Sequence, residues 1–219
     1  MDTSDTRPAL SRRQLLGLAV GTTAAAVGTT VLGGRAPAFA AAPNATGTGW
    51  AIGQLIPNLR ARDTQGRIGH LRNRGRWQLL DVCATWCGPC NFSATSHRAF
   101  ADMARAAGIP FAVLTVMVEG RIEGSAATLP DAESWETRHA LETELTLHGE
   151  GDPDSKVQSI LGGLWAANGK PEGGPGYPTY ALVDPTSRLR YYQLGAGMNR
   201  IQAELAAMTG VPLDRDWEF

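Results

Sequence analysis

The sequence predicts an α/β domain, and two patterns within its 219 residues support that class. An apolar run at 77–83 is followed by a helical pattern and then by a second apolar run at 111–118. Strand, helix and strand at this spacing indicate a βαβ unit with parallel strands and a right-handed crossover. Later in the chain, a run at 180–184 turns into a second run at 190–194, which predicts an antiparallel hairpin.

The first 40 residues resemble a twin-arginine export signal. Adjacent Arg12 and Arg13 precede an uncharged apolar stretch at 15–32, and the tripeptide at 38–40 has the small-x-small pattern of a signal-peptidase site. The stretch is about long enough to span a bilayer, but its glycines and threonines make it weakly hydrophobic. We therefore predict a cleaved signal and a periplasmic or extracellular location, with a retained membrane anchor as the alternative.

The part of the chain that follows this signal has the length of one globular domain. We expect a flexible lead-in at 41–49 and a single domain at 50–219. The net charge of the chain is −1 at pH 7. Because basic residues are not concentrated in any segment, nucleic acid is not an expected partner.

Further elements are predicted along the domain from hydrophobic spacing and from turn residues. In chain order they are a hairpin at 58–68 with its turn at Gln65–Gly66, a helix at 87–108, a helix at 131–145 with Asp131 as N-cap, a short strand at 144–148, a helix at 155–164 stopped by Gly162–Gly163, and a final helix at 199–208.

All three cysteines, Cys83, Cys87 and Cys90, fall within eight residues. A secreted protein stabilised by disulfides would instead distribute its cysteines so that they close long loops. The ring that Cys87 and Cys90 can close is too small to add much chain-entropy stabilisation, so chemistry explains a bridge there better. A helix that begins at or near Cys87 would place its thiol among unpaired backbone N–H groups, which favour the thiolate.

Three motifs together resemble the thioredoxin superfamily. They are the sequence WCGPC at 86–90 after an apolar strand, the acid Asp81 six residues before Cys87, and Tyr-Pro-Thr at 177–179 before a late strand. The chain is most similar to the exported TlpA-type thiol–disulfide oxidoreductases. This resemblance implies a thioredoxin-like three-layer fold, in which a mixed central sheet has helices on both faces, with an extra N-terminal β-hairpin and a central insertion.

The resemblance also implies roles for individual residues. Cys87 would be the exposed nucleophile that attacks a substrate disulfide, and Cys90 would be the resolving thiol. Asp81 would be a buried acid that relays a proton to or from Cys90, with a pKa raised toward neutrality by desolvation. Pro178 would follow a cis peptide bond and face the disulfide. The substrate groove would be framed by Trp86, Gly88, Pro89, Tyr177 and Thr179.

The resemblance implies a monomeric enzyme that needs no cofactor and reduces protein disulfides outside the cytoplasmic membrane. A membrane thiol donor would recharge it. The Gly-Pro dipeptide between the cysteines is the one found in reducing relatives, but the same fold and spacing also serve oxidants. An oxidant therefore stays an alternative, as does a binding module whose disulfide is vestigial.

Several of these residues also permit a different interpretation. The cysteine pair could be half of a zinc site, although the sequence has neither a second CxxC nor an HxxxH. Cys83 could be a small buried hydrophobe, or it could join Cys87 as the CxxxC pair of a copper-delivery protein. Asp81 could be a core acid paired with an arginine, and Pro178 an ordinary trans proline. The histidines are expected to be surface or hydrogen-bonded residues without a role: His70, His97, His139 and His148.

Overall fold

A computed structural model describes residues 45–72, 75–152, 154–169 and 176–217. The predicted export signal at 1–40 and the first part of the lead-in lie outside the described residues. In chain order the elements are β1 (Arg60–Asp63), β2 (Ile68–His70), β3 (Trp77–Ala84), α1 (Gly88–Ala94), α2 (His97–Ala106), β4 (Phe111–Glu119), α3 (Leu129–His139), β5 (Leu145–His148), α4 (Ser159–Asn168), β6 (Thr179–Val183), β7 (Leu189–Leu194) and α5 (Met198–Thr209).

One seven-stranded sheet has the strand order β2-β1-β5-β4-β3-β6-β7. β3 and β4 pair in parallel, and β5 continues the parallel set beyond β4. The other pairings are antiparallel, including the β1–β2 hairpin and the β6–β7 hairpin. These pairings confirm the predicted mixed sheet, its parallel strand–helix–strand unit and both hairpins.

Helices cover both faces of the sheet, as expected. Leu79 belongs to a core cluster that contains side chains of α2 and α5, such as Phe100. The next residue, Leu80, belongs to a second cluster that contains side chains of α3 and α4, such as Trp135. Because successive side chains of a strand point to opposite faces, the two clusters are the cores on the two sides of the sheet.

The segment between β4 and β6 is the predicted central insertion. It contains α3, β5 and α4, and β5 lies in the sheet between β4 and β1. The segment therefore extends the central sheet and connects it to the N-terminal hairpin. Within the described ranges, no helix is both long and apolar enough to cross a membrane.

The continuous helix predicted at 87–108 is wrong, because the structure has two helices, α1 and α2, in that region. At the junction, the Thr95 hydroxyl donates to the Phe92 carbonyl, and the Ser96 N–H donates to the Ser93 carbonyl. Short-range bonds of this kind compete with the regular helical pattern. They divide the predicted helix into two shorter ones.

Three other helix boundaries also differ from the predictions. Asp131 is not the N-cap of its helix, because Thr128 is the N-cap and Asp131 is the third helical residue of a capping box. That helix ends at His139, ahead of the predicted end at 145. Gly162 and Gly163 do not stop α4. The helix continues through them to Asn168, and the Trp50 ring packs so close to Gly163 that this position has no room for a side chain.

Candidate active site

The predicted cysteine pair lies at the start of α1, shortly after β3 ends. Cys87 is the N-cap residue of α1, and its Sγ accepts a hydrogen bond from the backbone N–H of Cys90 at 3.1 Å. The two cysteines form a disulfide, with their Cα atoms 5.2 Å apart. Pro89 lies in the first turn of α1, where proline costs no helical hydrogen bond. The Cys87–Cys90 disulfide therefore lies at the N-terminus of a helix.

The disulfide is more enclosed than the sequence predicts. Cys87 is 2% exposed and Cys90 is 1% exposed, so the expectation of an exposed Cys87 is wrong for this disulfide form. The reason is that the Cys87 sulfur turns inward, toward both the sulfur and the N–H of Cys90. The part of the ring that meets solvent is the Gly88–Pro89 edge, because both of those residues are exposed.

Asn91 fixes the turn that carries the disulfide. Its Nδ2 donates to the carbonyls of Thr85 and Cys87, each at 2.9 Å. Its Oδ1 accepts a hydrogen bond from Arg138 of α3, also at 2.9 Å. A single amide thus joins the end of β3, the start of α1 and a helix of the central insertion. Sequence reasoning did not identify Asn91, because its partners come from three different elements.

Trp86 and Tyr177 form an aromatic rim beside the disulfide, and Glu119 connects them. Their rings meet edge to face, with centroids 5.9 Å apart. Glu119 accepts a hydrogen bond from Trp86 Nε1 at 2.8 Å and another from the Tyr177 hydroxyl at 3.2 Å. A third donor is the backbone N–H of Gly124. Sequence reasoning missed Glu119, although a carboxylate at the end of an apolar strand is a usable signal.

The motif at 177–179 lies at the start of β6. The peptide bond between Tyr177 and Pro178 is cis. Thr179 is fully buried, and its hydroxyl donates to the Gly176 carbonyl. The expectation that the Thr179 side chain lines a substrate groove is therefore wrong, because that side chain caps a turn inside the protein. Tyr177 is also largely buried and contributes to the rim mainly through its contact with Trp86.

Asp81 lies in the middle of β3 with no exposed surface. Burial raises the pKa of its carboxyl to about 8, and an interaction with the Thr115 hydroxyl partly opposes that rise. This confirms the expected burial and the expected direction of the shift. Among the described residues, the basic side chain that meets Asp81 is His97, whose Nδ1 lies 3.6 Å from Oδ2. The alternative of an arginine partner is therefore wrong.

His97 is the functional candidate that sequence reasoning missed. It is fully buried at the start of α2, and burial together with the charge of His139 lowers its pKa to about 3. Its Nε2 lies 3.1 Å from the Tyr180 hydroxyl, which in turn contacts Ser93. Helical spacing could not have shown it, because Cys90 and Ser93 lie in α1 whereas His97 begins α2.

The remaining histidines agree with the expectation of hydrogen-bonded or surface residues. His70 is exposed on β2. His139 Nε2 lies 3.3 Å from Asn91 Oδ1, and His148 Nδ1 accepts a hydrogen bond from the N–H of Glu150. In the part of the chain that the structure describes, no group of three histidines, cysteines or acids is placed to hold a metal ion.

Cys83 is a buried, unpaired cysteine on β3. Burial raises the pKa of its thiol well above the usual value, and the nearby Asp81 adds to the rise. A copper site needs thiolates that the metal can reach. The position of Cys83 therefore disfavours the CxxxC pair and favours a small buried hydrophobe.

The sequence matches no protein-family model and no curated protein, but solved structures match it in fold. The thioredoxin domain of a thiol-disulfide oxidoreductase from Bacteroides vulgatus is 15% identical, with a TM-score of 0.50, and the match covers 73% of this chain and 96% of that one. A candidate thiol:disulfide interchange protein DsbE from Chlorobium tepidum is 17% identical, with a TM-score of 0.51, and the match covers 74% and 96%. A candidate electron transfer protein from Aquifex aeolicus is 16% identical, with a TM-score of 0.53, and the match covers 74% and 95%. The chain therefore has the thioredoxin fold.

Proposed function

We propose that this chain is an exported thiol–disulfide oxidoreductase that reduces protein disulfides through Cys87 and Cys90. The observation that carries the proposal is the Cys87–Cys90 disulfide at the start of α1, with the Cys90 N–H directed at the Cys87 sulfur. An N–H so directed stabilises negative charge on sulfur, which favours the Cys87 thiolate once the disulfide is reduced. Solved structures of the same fold carry the names thiol-disulfide oxidoreductase and thiol:disulfide interchange protein, which supports this class.

The reaction would proceed in two exchanges. The Cys87 thiolate attacks one sulfur of the substrate disulfide, forms a mixed disulfide and releases the first substrate thiolate, which takes a proton from water. The Cys90 thiolate then attacks the Cys87 sulfur, closes the Cys87–Cys90 disulfide and releases the second substrate thiolate. Two electrons pass from the protein to the substrate.

Asp81 would take the proton from Cys90 before the second exchange. A carboxyl with a pKa of about 8 is ionised in about one molecule in ten at pH 7. It is therefore a base of suitable strength for a thiol, because its proton affinity is close to that of an ordinary cysteine. An aspartate with an ordinary pKa would accept the proton far less readily.

The substrate would approach over the exposed Gly88–Pro89 edge, beside the Trp86–Tyr177 rim. Pro178 would lie opposite this edge and present backbone to an extended peptide, as the resemblance implies. Because Cys87 is 2% exposed, we expect productive exchange to require close docking of the substrate backbone. Small disulfides without such a backbone would react more slowly.

The cellular setting of the proposal follows from the signal-like residues 1–40. We propose export by the twin-arginine route to the periplasm or the cell exterior, action as a monomer, and recharging by a membrane thiol donor. The proteins whose disulfides are reduced are the partners, and neither a metal nor a nucleic acid takes part.

The experiment that tests the direction of electron flow is a measurement of the Cys87–Cys90 reduction potential against a thiol–disulfide buffer. A reductant should lie near the thioredoxin value of about −270 mV. A value near about −120 mV, at the oxidising end of the known range, would overturn the proposal and identify an oxidant. Cys83→Ser is the matched control, because removal of the unpaired thiol should leave the potential unchanged.

A further inference from the structure

Four buried side chains form a chain of contacts that leads from α1 to Asp81. Ser93 Oγ lies 3.0 Å from the Pro89 carbonyl oxygen and 3.2 Å from that of Cys90. The Tyr180 hydroxyl donates to Ser93 Oγ at 2.6 Å. His97 Nε2 lies 3.1 Å from the Tyr180 hydroxyl, and His97 Nδ1 lies 3.6 Å from Asp81 Oδ2. The contacts thus connect α1 and α2 with the strands β6 and β3.

The contacts of Ser93 in α1 determine the direction in which each hydrogen bond of this series is donated. A backbone carbonyl can only accept, so the single hydroxyl hydrogen of Ser93 is donated there. Ser93 must then accept the hydrogen of Tyr180, and Tyr180 must accept a hydrogen from His97 Nε2. A neutral imidazole carries one hydrogen, so Nδ1 of His97 holds a lone pair. That lone pair is turned toward the Asp81 carboxyl.

We propose that His97 is a positioning residue for Asp81, because the hydrogen-bond chain fixes its tautomer so that an unprotonated Nδ1 faces the carboxyl and keeps it protonated. The inference rests on the proposed function only in assigning a use to that proton, namely its exchange with Cys90. At 3.6 Å, His97 Nδ1 and Asp81 Oδ2 are too far apart for a standard hydrogen bond. Catalytic contacts are often long before substrate binds, and a movement of about half an ångström would close this one.

A lone pair facing Asp81 acts on both states of the carboxyl. It repels the ionised carboxylate at the present distance, and on closer approach it would accept the hydrogen of the neutral acid, so both effects favour the protonated form. Among the described residues, neither Asp81 oxygen nor His97 Nδ1 has a hydrogen-bond partner of standard geometry. The Thr115 hydroxyl competes weakly for the Asp81 carboxyl, because its interaction favours the ionised form, but burial outweighs it.

The pKa values of the two groups exclude His97 as the base that takes the Cys90 proton. The pKa of its imidazole is about 3, whereas the pKa of the Asp81 carboxyl is about 8. A difference of about five between the two pKa values means that ionised Asp81 binds a proton about a hundred thousand times more tightly than neutral His97 does. The proton therefore goes to Asp81, and His97 acts through that acid.

The titratable groups around this pair come from every neighbouring element. On the strands, Cys83 and Tyr180 carry no positive charge that could stabilise an ionised Asp81, and Thr115 of β4 is its neutral neighbour. On the helical side, His139 of α3 disfavours a charge on His97. These surroundings keep both members of the pair neutral.

The test is nuclear magnetic resonance on the oxidised full-length chain. Imidazole ¹⁵N shifts report which nitrogen of His97 carries the hydrogen, and the ¹³C shift of the Asp81 carboxyl reports its titration. Between about pH 4 and pH 8, we expect Nε2 protonated and Nδ1 unprotonated. In Tyr180→Phe, Nε2–H loses its acceptor, so the imidazole should adopt the Nδ1–H tautomer and donate to the carboxylate.

That change should raise the ionised fraction of Asp81 at pH 7 from about one tenth to about one half, because a hydrogen bond to the carboxylate favours its charged form. Ser93→Ala should act in the same direction, because it frees the Tyr180 hydroxyl to donate to Nε2. Tyr192→Phe is the matched control. Tyr192 lies on the neighbouring strand β7 and donates its hydroxyl hydrogen to the Gly169 carbonyl, so its loss should change neither signal.

Two results would overturn the inference: a wild-type His97 with Nδ1 protonated while Asp81 is protonated, or an Asp81 titration that is the same in Tyr180→Phe and Tyr192→Phe. Both signals are read on the disulfide form without any substrate. A failure of the proposed function, such as an oxidising potential, would leave them unaffected, so the two proposals fail separately.

Discussion

The two carboxyl groups beside the disulfide have opposite surroundings. Glu119, at the half-buried rim, accepts three hydrogen bonds, from Trp86, Tyr177 and the Gly124 N–H. Asp81, on the strand that leads to the disulfide, is fully buried, and among the described residues it accepts no hydrogen bond of standard geometry. Burial raises the pKa of the Asp81 carboxyl, and the Thr115 hydroxyl only partly opposes that rise. The first group can therefore organise a surface, and the second can store a proton.

The largest expected effect belongs to the sulfur of Cys87, which neither carboxyl can replace. Cys87→Ser should abolish reduction of a protein disulfide such as insulin, because a serine hydroxyl cannot form the mixed disulfide. A turbidity assay of insulin reduction measures the loss. Cys83→Ser is the control and should keep the wild-type rate. A wild-type protein that does not reduce insulin, with no change in Cys87→Ser, would show that the disulfide takes no part, as in a binding module.

Asp81→Asn should remove the contribution that this carboxyl makes to the pH dependence of the free energy of unfolding. The Asp81 pKa is raised in the folded protein to about 8, so the acid favours folding fully below the unfolded value of about 4, and this contribution is lost as the pH rises through 8. Between pH 4 and pH 7, the unfolding free energy of the variant should gain roughly 4 kcal/mol relative to wild type. Urea unfolding at both pH values measures the difference.

Both proteins in that comparison keep His97 and His139, so the titration of these histidines largely cancels. A difference between wild type and Asp81→Asn that stays constant from pH 4 to pH 7 would contradict the buried, proton-holding carboxyl.

The same Asp81→Asn variant should slow the second exchange. In the proposed relay an ionised Asp81 takes the Cys90 proton, so the wild-type rate should increase as the pH rises toward about 8 and then level off. The variant should be about a hundredfold slower at pH 7 and should lack this dependence. Rapid-quench trapping of the mixed disulfide measures the step, and an unchanged pH profile would assign the proton transfer elsewhere.

Glu119→Gln should have a smaller effect that depends on the substrate. A glutamine amide has a single oxygen, so it cannot accept from Trp86 and Tyr177 in the way that the two oxygens of the carboxylate do. Loss of one bond predicts a decrease of about tenfold in kcat/KM for a peptide disulfide. A small disulfide that does not contact the rim should react at the wild-type rate, and an equal loss for both substrates would argue against a rim role.

Cys83→Ala should have the smallest effect. The side chain is fully buried, so its truncation should cost about 1 kcal/mol of stability and leave insulin reduction within about twofold of wild type. Titration of the reduced full-length chain with Cu(I) completes the test. Stoichiometric tight binding that is lost in this variant would favour copper delivery after all.

The fold was largely predictable because its signals are local. Apolar runs of strand length marked β3, β4 and β6, and turn residues such as Gln65–Gly66 marked the hairpins. Helix boundaries were less predictable. The junction at Thr95 contains a side-chain hydroxyl bond, and Gly163 within α4 is a packing position against Trp50 and not a helix stop. Neither feature changes the hydrophobic pattern from which helices are inferred.

The site was predictable only in the part that the motif contains. Cys87 and Cys90 are close in the sequence and follow the strand that bears Asp81. The exposure of Cys87 and the groove position of Thr179 were predicted wrongly, because both depend on the direction in which a side chain turns after the backbone is placed. The direction in which a side chain turns depends on tertiary packing, so the spacing of residues along the sequence does not predict it.

The sequence by itself determined the redox pair and the strand–helix unit that presents it, because these need only short-range spacing and hydrophobicity. The tertiary structure alone decided that His97 meets Tyr180, 83 positions away, and that Trp86 meets Glu119, 33 positions away. Such contacts form only when the sheet brings distant strands side by side. The proton affinity of Asp81 and the contacts of the Trp86–Tyr177 rim both depend on residues that are distant in the sequence. A local sequence pattern does not show which residues these are.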